Sequence, residues 1–208
     1  MYRNIPHIQQ PVGSPRCGAA CLQMIYQYYG IPFSLDKVWE SVRQLSAKGY
    51  PYCSTYRMIC DLRSHGLQAF GVAVNDVFQV IRECHANGID VILGCQFEKN
   101  RAVGHWLVAT RQTDKNVYVN DPAQNRSQGK DYVIKNSKLE DLMHPNGDIT
   151  ADNTLILVTN KSVNLSDVEI QHDAHTSCIS IFSCVLPHCW CIVCPDHDAW
   201  AQVKNADK

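Results

Sequence analysis

The chain changes character near residue 67, and that change limits the fold more than any other feature. Before it, apolar residues recur at helical spacing; after it, short apolar runs of strand type take over. From Cys17 the positions Ala20, Cys21, Met24, Ile25 and Tyr28 share one helical face, and Gly30 followed by Pro32 supplies a stop. Ser34 is placed to cap a second helix carrying Leu35, Val38, Trp39, Val42 and Leu45. Ser54 or Thr55 opens a third with Met58, Ile59 and Leu62, closed by Gly66. Then Leu67 to Val74 reads as a strand, and Asp76 to Asn87 as a helix carrying Val77, Val80, Ile81 and Cys84. Strand character returns in IDVILGC, which starts at Ile89. HWLVATRQ, a turn at TDKN and VYVND predict a β-hairpin. DYVIK and TLILVTN supply further strands, with a short helix near SKLEDLM. Helices first and strands afterwards predict an α+β domain, a helical lobe packed on an antiparallel sheet.

The pattern runs to about residue 160, so residues 1–160 are expected to form one domain and 161–208 a tail of different composition. The tail begins polar and weakly periodic, passes through an apolar run crowded with cysteines, and ends charged. With 19 Lys plus Arg against 20 Asp plus Glu, the net charge of -1 gives no electrostatic reason for binding nucleic acid or an anionic membrane. No apolar run is long enough for a transmembrane helix, and the first residues lack the apolar core of a secretory signal. The expected setting is the cytoplasm, or delivery from the producing cell by a route that needs no such signal. An odd count of 11 cysteines without an export signal argues that most are reduced thiols.

One of those thiols stands where chemistry favours it. Cys17 opens the first helix, whose unpaired N–H groups and dipole favour a thiolate, and Gly18 removes bulk beside it. Cys21, one turn deeper on the apolar stripe, is expected to pack. A nucleophilic thiol needs a base, and His105 begins an apolar strand directly after Gly104. Asp121 closes the partner strand of that hairpin, where its carboxylate can reach the imidazole. A side-chain amide upstream of the nucleophile can donate to an oxyanion without titrating; Gln10 is the first choice and Gln9 the alternate. Asp76, Phe97 and Trp106 are considered for the rim of the cleft.

Gln, then Cys-Gly at a helix start, then GHWLVA, then NDPA is a demanding order of motifs. In it the sequence resembles the papain-like cysteine peptidases, and most closely the double-glycine leader peptidases and their bacteriocin-processing relatives. There a Gln precedes a Cys-Gly helix ending in Tyr-Gly, as in QQPVGSPRCGAACLQMIYQYYG. The resemblance covers roughly residues 5 to 160. It implies a papain-like fold and a peptide or protein substrate. It makes Cys17 the nucleophile, His105 the general base and acid, Asp121 the orienting carboxylate and Gln10 the oxyanion donor, with no cofactor required. Arg16 stands where the family often has an acidic residue.

The tail poses a separate question. Cys191 and Cys194 form a C-x-x-C that could chelate a structural zinc with Cys178 and His175 or His188. Acylated thiols that touch a membrane, or simple packing, are the other readings. Three functions therefore stay open: a cysteine peptidase or related amide hydrolase acting through a thioester; an effector-type glutamine deamidase or acyltransferase on the same fold; and a non-catalytic papain-like binding module whose tail recruits metal or membrane.

Overall fold

The computed structural model describes residues 2–46, 48–74, 76–97, 104–143, 154–161 and 189–193. Two of the three helices of the first third fold as their periodicity predicts, and the second is shorter. Helix α1 (Cys17–Tyr28) is followed by Gly30 at φ 73°, a left-handed conformation that glycine adopts without strain. Helix α2 (Leu35–Val42) starts at Ser34, whose hydroxyl accepts the Lys37 N–H. It ends earlier than the apolar pattern suggests. Arg43–Leu45 leaves as strand β1 and pairs antiparallel with β2 (Pro51–Cys53), so Leu45 lies exposed in a small hairpin. Helix α3 (Thr55–Ser64) follows directly.

The rest builds the sheet. In chain order come β3 (Gln68–Val74), α4 (Val77–Ala86), β4 (Asp90–Cys95), β5 (His105–Gln112), β6 (Asn116–Asn120), α5 (Arg126–Gly129), β7 (Tyr132–Lys135), α6 (Asn136–Met143), β8 (Thr154–Thr159) and β9 (Cys189–Val193). Among the described residues the strands lie in the order β7-β6-β5-β4-β8-β3-β9, with every neighbouring pair antiparallel. The α+β reading holds. From the segment beyond residue 160, β9 joins this sheet at the free side of β3, with Val74 opposite Cys189.

Antiparallel sheets often leave one face to water, but β4 and β8 are buried along their whole lengths. The reason is a helix layer on each face. Val91, Leu93, Leu107, Leu155 and Leu157 pack with Val77, Val80 and Ile81 of α4 and Leu139 and Leu142 of α6. Ile92, Val108, Ile156 and Val158 point the other way, into Met24, Ile25, Met58 and Ile59 of the helical lobe. Each such side chain contributes about 1.5–3 kcal/mol when fully buried, so the central strands anchor both cores. Among the described residues, no helix is long and apolar enough to cross a membrane.

Buried polar groups fix how the layers meet. Asp90 accepts from Arg3 Nε at 2.6 Å and from the Tyr29 hydroxyl at 2.5 Å, tying the N-terminal arm and the end of α1 to β4. Asp61 on α3 accepts from the hydroxyls of Tyr26 on α1 and Ser41 on α2. His85, near the end of α4, is 1% exposed; burial and the charge of Arg3 push it down from 6.5 to about 4. Its folded-state value is depressed, so the neutral ring costs nothing above pH 6.5, and stability falls as pH drops from there toward 4. The full loss approaches about 3 kcal/mol. Urea unfolding across that window should show the slope in the wild type and a smaller one in His85→Leu.

Candidate active site

The hairpin of β5 and β6 carries the two predicted partners of the thiol to one place. Val108 pairs with Asn120. Asp121, the residue after β6, therefore arrives beside the beginning of β5, where His105 stands. The His105 Nε2–Asp121 Oδ1 distance is 2.7 Å. Helix α1 packs against β5, and the Cys17 side chain hydrogen bonds to the same imidazole. With Nε2 taken by the carboxylate, Nδ1 is the nitrogen left for sulfur. Cys17 is 8% exposed and the His105 side chain 18%, so the group is sheltered without being sealed.

Environment sets the charges. Burial alone would lower the His105 value, but the hydrogen bond to Asp121, the bond to Cys17 and the charges of both raise it to about 9. Burial works against the Asp121 carboxylate, yet the His105 bond and charge and the Ala123 N–H at 2.9 Å bring it below its usual range. The edge of the half-exposed Phe97 ring meets the imidazole at 5.5 Å between centroids. Of the other residues considered for the rim, Trp106 is buried in the core and Asp76 caps α4 through the Gln79 N–H.

Gln10 comes to the site on the N-terminal arm. That arm is stitched along the end of β6: Asn120 Nδ2 donates to the Ile5 carbonyl, His7 Nε2 lies 2.8 Å from the Asp121 carbonyl, and the Gln10 N–H donates to the Pro122 carbonyl. The Gln10 amide donates one N–H to the Ser14 carbonyl at 2.6 Å, in the loop leading to Cys17, which leaves its second N–H. Gln9 is exposed. His7 escaped sequence reasoning because its partner is a backbone carbonyl far along the chain. The close approach also needs Gly129, where a Cβ would fall 2.5 Å from the Asp121 carbonyl and 2.6 Å from His7 Nε2.

Gly18 has a different reason from the one expected. It faces the core rather than a substrate: a Cβ there would lie 2.5 Å from Cys53 Cβ and 2.8 Å from Met58 Sδ. Gly18→Ala should therefore cost about 1–3 kcal/mol by overpacking, read as a lower denaturant midpoint with the same m-value. Cys21 is fully buried, which raises its thiol well above the usual range, in keeping with a packing role. Arg16 pairs with Asp36 at 2.5 Å and lies over the Trp39 ring.

Of the zinc candidates, Cys178, His188 and Cys194, with His175, lie outside the described residues, and Cys191 falls within β9. Among the described residues no group of three or more His, Cys, Asp or Glu side chains is placed to hold a metal.

A thiol, an imidazole and a carboxylate at the meeting of a helix start and an antiparallel sheet define the class of papain-like cysteine peptidases. The profile of the Peptidase C39 family matches residues 4–137, and the chain belongs to that family and is a cysteine peptidase. Solved structures share its fold. A double glycine motif protease from an AMS/PCAT transporter, solved with a leader peptide, aligns at TM-score 0.52 and 22% identity over 76% of this chain and 93% of that one. A C39-like peptidase from Bacillus anthracis aligns at 0.58 and 14% identity over 76% and 96%. The peptidase domain of Streptococcus ComA, a bifunctional ABC transporter of a quorum-sensing pathway, aligns at 0.57 and 14% identity over 76% and 100%. No curated protein sequence matches the chain.

Proposed function

We propose that the protein cleaves a peptide bond through a covalent thioester on Cys17, with His105 as general base and acid, Asp121 as the orienting carboxylate and Gln10 as an oxyanion donor. The observation that carries the reading is the imidazole itself: one ring bonded to Asp121 at 2.7 Å and to the Cys17 side chain. With a value of about 9, His105 is cationic at neutral pH and so is the partner a thiolate requires.

The sulfur attacks the scissile carbonyl, and the oxyanion is met by the free N–H of Gln10 and by the Cys17 backbone N–H, which has no acceptor within its own helix. His105 passes its proton to the departing amine, so the C–N bond breaks as the thioester remains. Water then gives a proton to His105 and its oxygen to the acyl carbon, and the thiolate leaves. Asp121 keeps the ring in the one orientation that serves both steps.

The leader peptide bound in one structural relative suggests the substrate class: a peptide whose cleavage site follows two glycines, small enough to lie flat over a sheltered thiol. The test is mass spectrometry of synthetic peptides with and without a double glycine, incubated with wild type and Cys17→Ala. Two fragments meeting after the second glycine, formed only by wild type, support the reading. Ammonia release or adduct formation without chain cleavage would replace it with deamidation or acyl transfer on the same thiol.

A further inference from the structure

Helix α1 begins without a cap of its own. Its N-cap residue is Arg16, and no side chain of that residue accepts a hydrogen bond from the first turn. A helix start leaves several N–H groups without intrahelical partners, and Arg offers no acceptor for them. The acceptor comes instead from β2. The Cys53 thiol reaches the Pro15 carbonyl at 3.9 Å and packs directly against Gly18, with the Gly18 and Ala19 N–H groups acting on its sulfur. One sulfur thus ties the residue before the turn to the residues after it, with Cys17 between them. Only glycine at position 18 permits this, since a Cβ would fall 3.0 Å from Cys53 Sγ.

We propose that Cys53 is a positioning residue for the peptidase reaction: it caps the helix that carries the nucleophile and so fixes where the Cys17 sulfur and backbone N–H point. The proposal rests on the reading of Cys17 as nucleophile. Two consequences follow from the geometry. The Gly18 and Ala19 N–H groups are turned toward Cys53, which leaves Cys17's own N–H and the Gln10 amide as the donors for the oxyanion. Cys53 also stays a thiol, because burial and the charge of Cys17 push it up to about 12, above the opposing effect of the two N–H groups. It keeps its S–H for Pro15 and does not compete with Cys17 as a nucleophile.

The experiment measures alkylation of the full chain by iodoacetamide from pH 5 to 10, with the rate at Cys17 read by peptide mapping, alongside thermal unfolding. Cys53→Ala should slow labelling of Cys17 about fivefold and move the midpoint of its pH profile. Cys53→Ser, whose hydroxyl both accepts and donates, should restore most of the rate. A Cys53→Ala protein that labels at Cys17 with the wild-type rate and pH profile, whatever its melting temperature, overturns the proposal. Should Cys53→Ala not fold, amide hydrogen exchange decides on wild type and Cys53→Ser. Gly18 and Ala19 protected in both supports the cap, and rapid exchange in wild type removes it. Failure of the nucleophile assignment looks different, because wild-type Cys17 would then show no preference over the other thiols.

Discussion

Cys17→Ala will give a folded protein that cleaves no peptide, with kcat lower by at least about 10⁴-fold. In the proposed mechanism the sulfur forms the bond that splits amide cleavage into two steps, and the neighbouring thiols are poorly suited to replace it. Cys21 and Cys53 have thiols raised by burial, and Cys95, opposite His105 in the sheet, is raised too, first by burial and then by the charge of Asp121. Cys17 is 8% exposed and packs in the helical-lobe core, so losing its sulfur leaves a space of about one atom and should lower the melting temperature only modestly. The variant also removes the Cys17 interactions that help raise His105, so the imidazole should titrate below the wild-type value of about 9. Residual cleavage within tenfold of wild type would mean another thiol or another mechanism.

Asp121→Asn should have the second largest effect. The amide keeps the shape and one oxygen acceptor but removes the charge that raises His105, and its NH2 can face the ring in place of the second carboxylate oxygen, which loosens the hold on the ring orientation. A loss of about 10²–10⁴-fold in kcat is expected, with KM nearly unchanged, because substrate does not bind to this carboxylate. The pH signature has a definite sign. His105 is raised on folding from 6.5 to about 9, so its contribution to stability is complete below 6.5 and is lost as pH rises through 9. Asp121 is lowered from 3.8, so its contribution is present above that value and is lost as pH falls below it. In Asp121→Asn both slopes flatten, and proton NMR of the His105 ring should show a midpoint moved down toward 6.5. An unchanged midpoint would separate the carboxylate from the imidazole and undo the triad.

Why His105 and Asp121 were legible from the sequence while Cys53 was not is a matter of chain distance. The first two sit at matching ends of two strands joined by a short turn, and the pairing of β5 with β6, shifted by one residue between Ala109 and Arg111, brings them together. The start of α1 is equally local, written in the spacing from Cys17 to Tyr28. Cys53 meets Pro15, Gly18 and Ala19 only after β1 and β2 have folded into a hairpin, and Leu45 had extended the apolar pattern of α2 through that hairpin. His7 likewise meets Asp121 through a backbone carbonyl, which no residue type announces. The second helix layer was half visible. The apolar stripe of α4 and a short helix at α6 are visible in the sequence, but that both cover the sheet face opposite the helical lobe depends on β8 lying between β3 and β4. Gly18 shows the opposite case, a residue rightly singled out whose freedom from a side chain serves packing against Cys53 and Met58.

The most direct measurement is peptide mapping after brief treatment of the native full-length chain with less than one equivalent of iodoacetamide at neutral pH, with cleavage activity followed in the same sample. The label should fall on Cys17 ahead of all other thiols, with activity lost in proportion to it. Equal labelling across the thiols, or full activity in protein already alkylated at Cys17, would contradict the account.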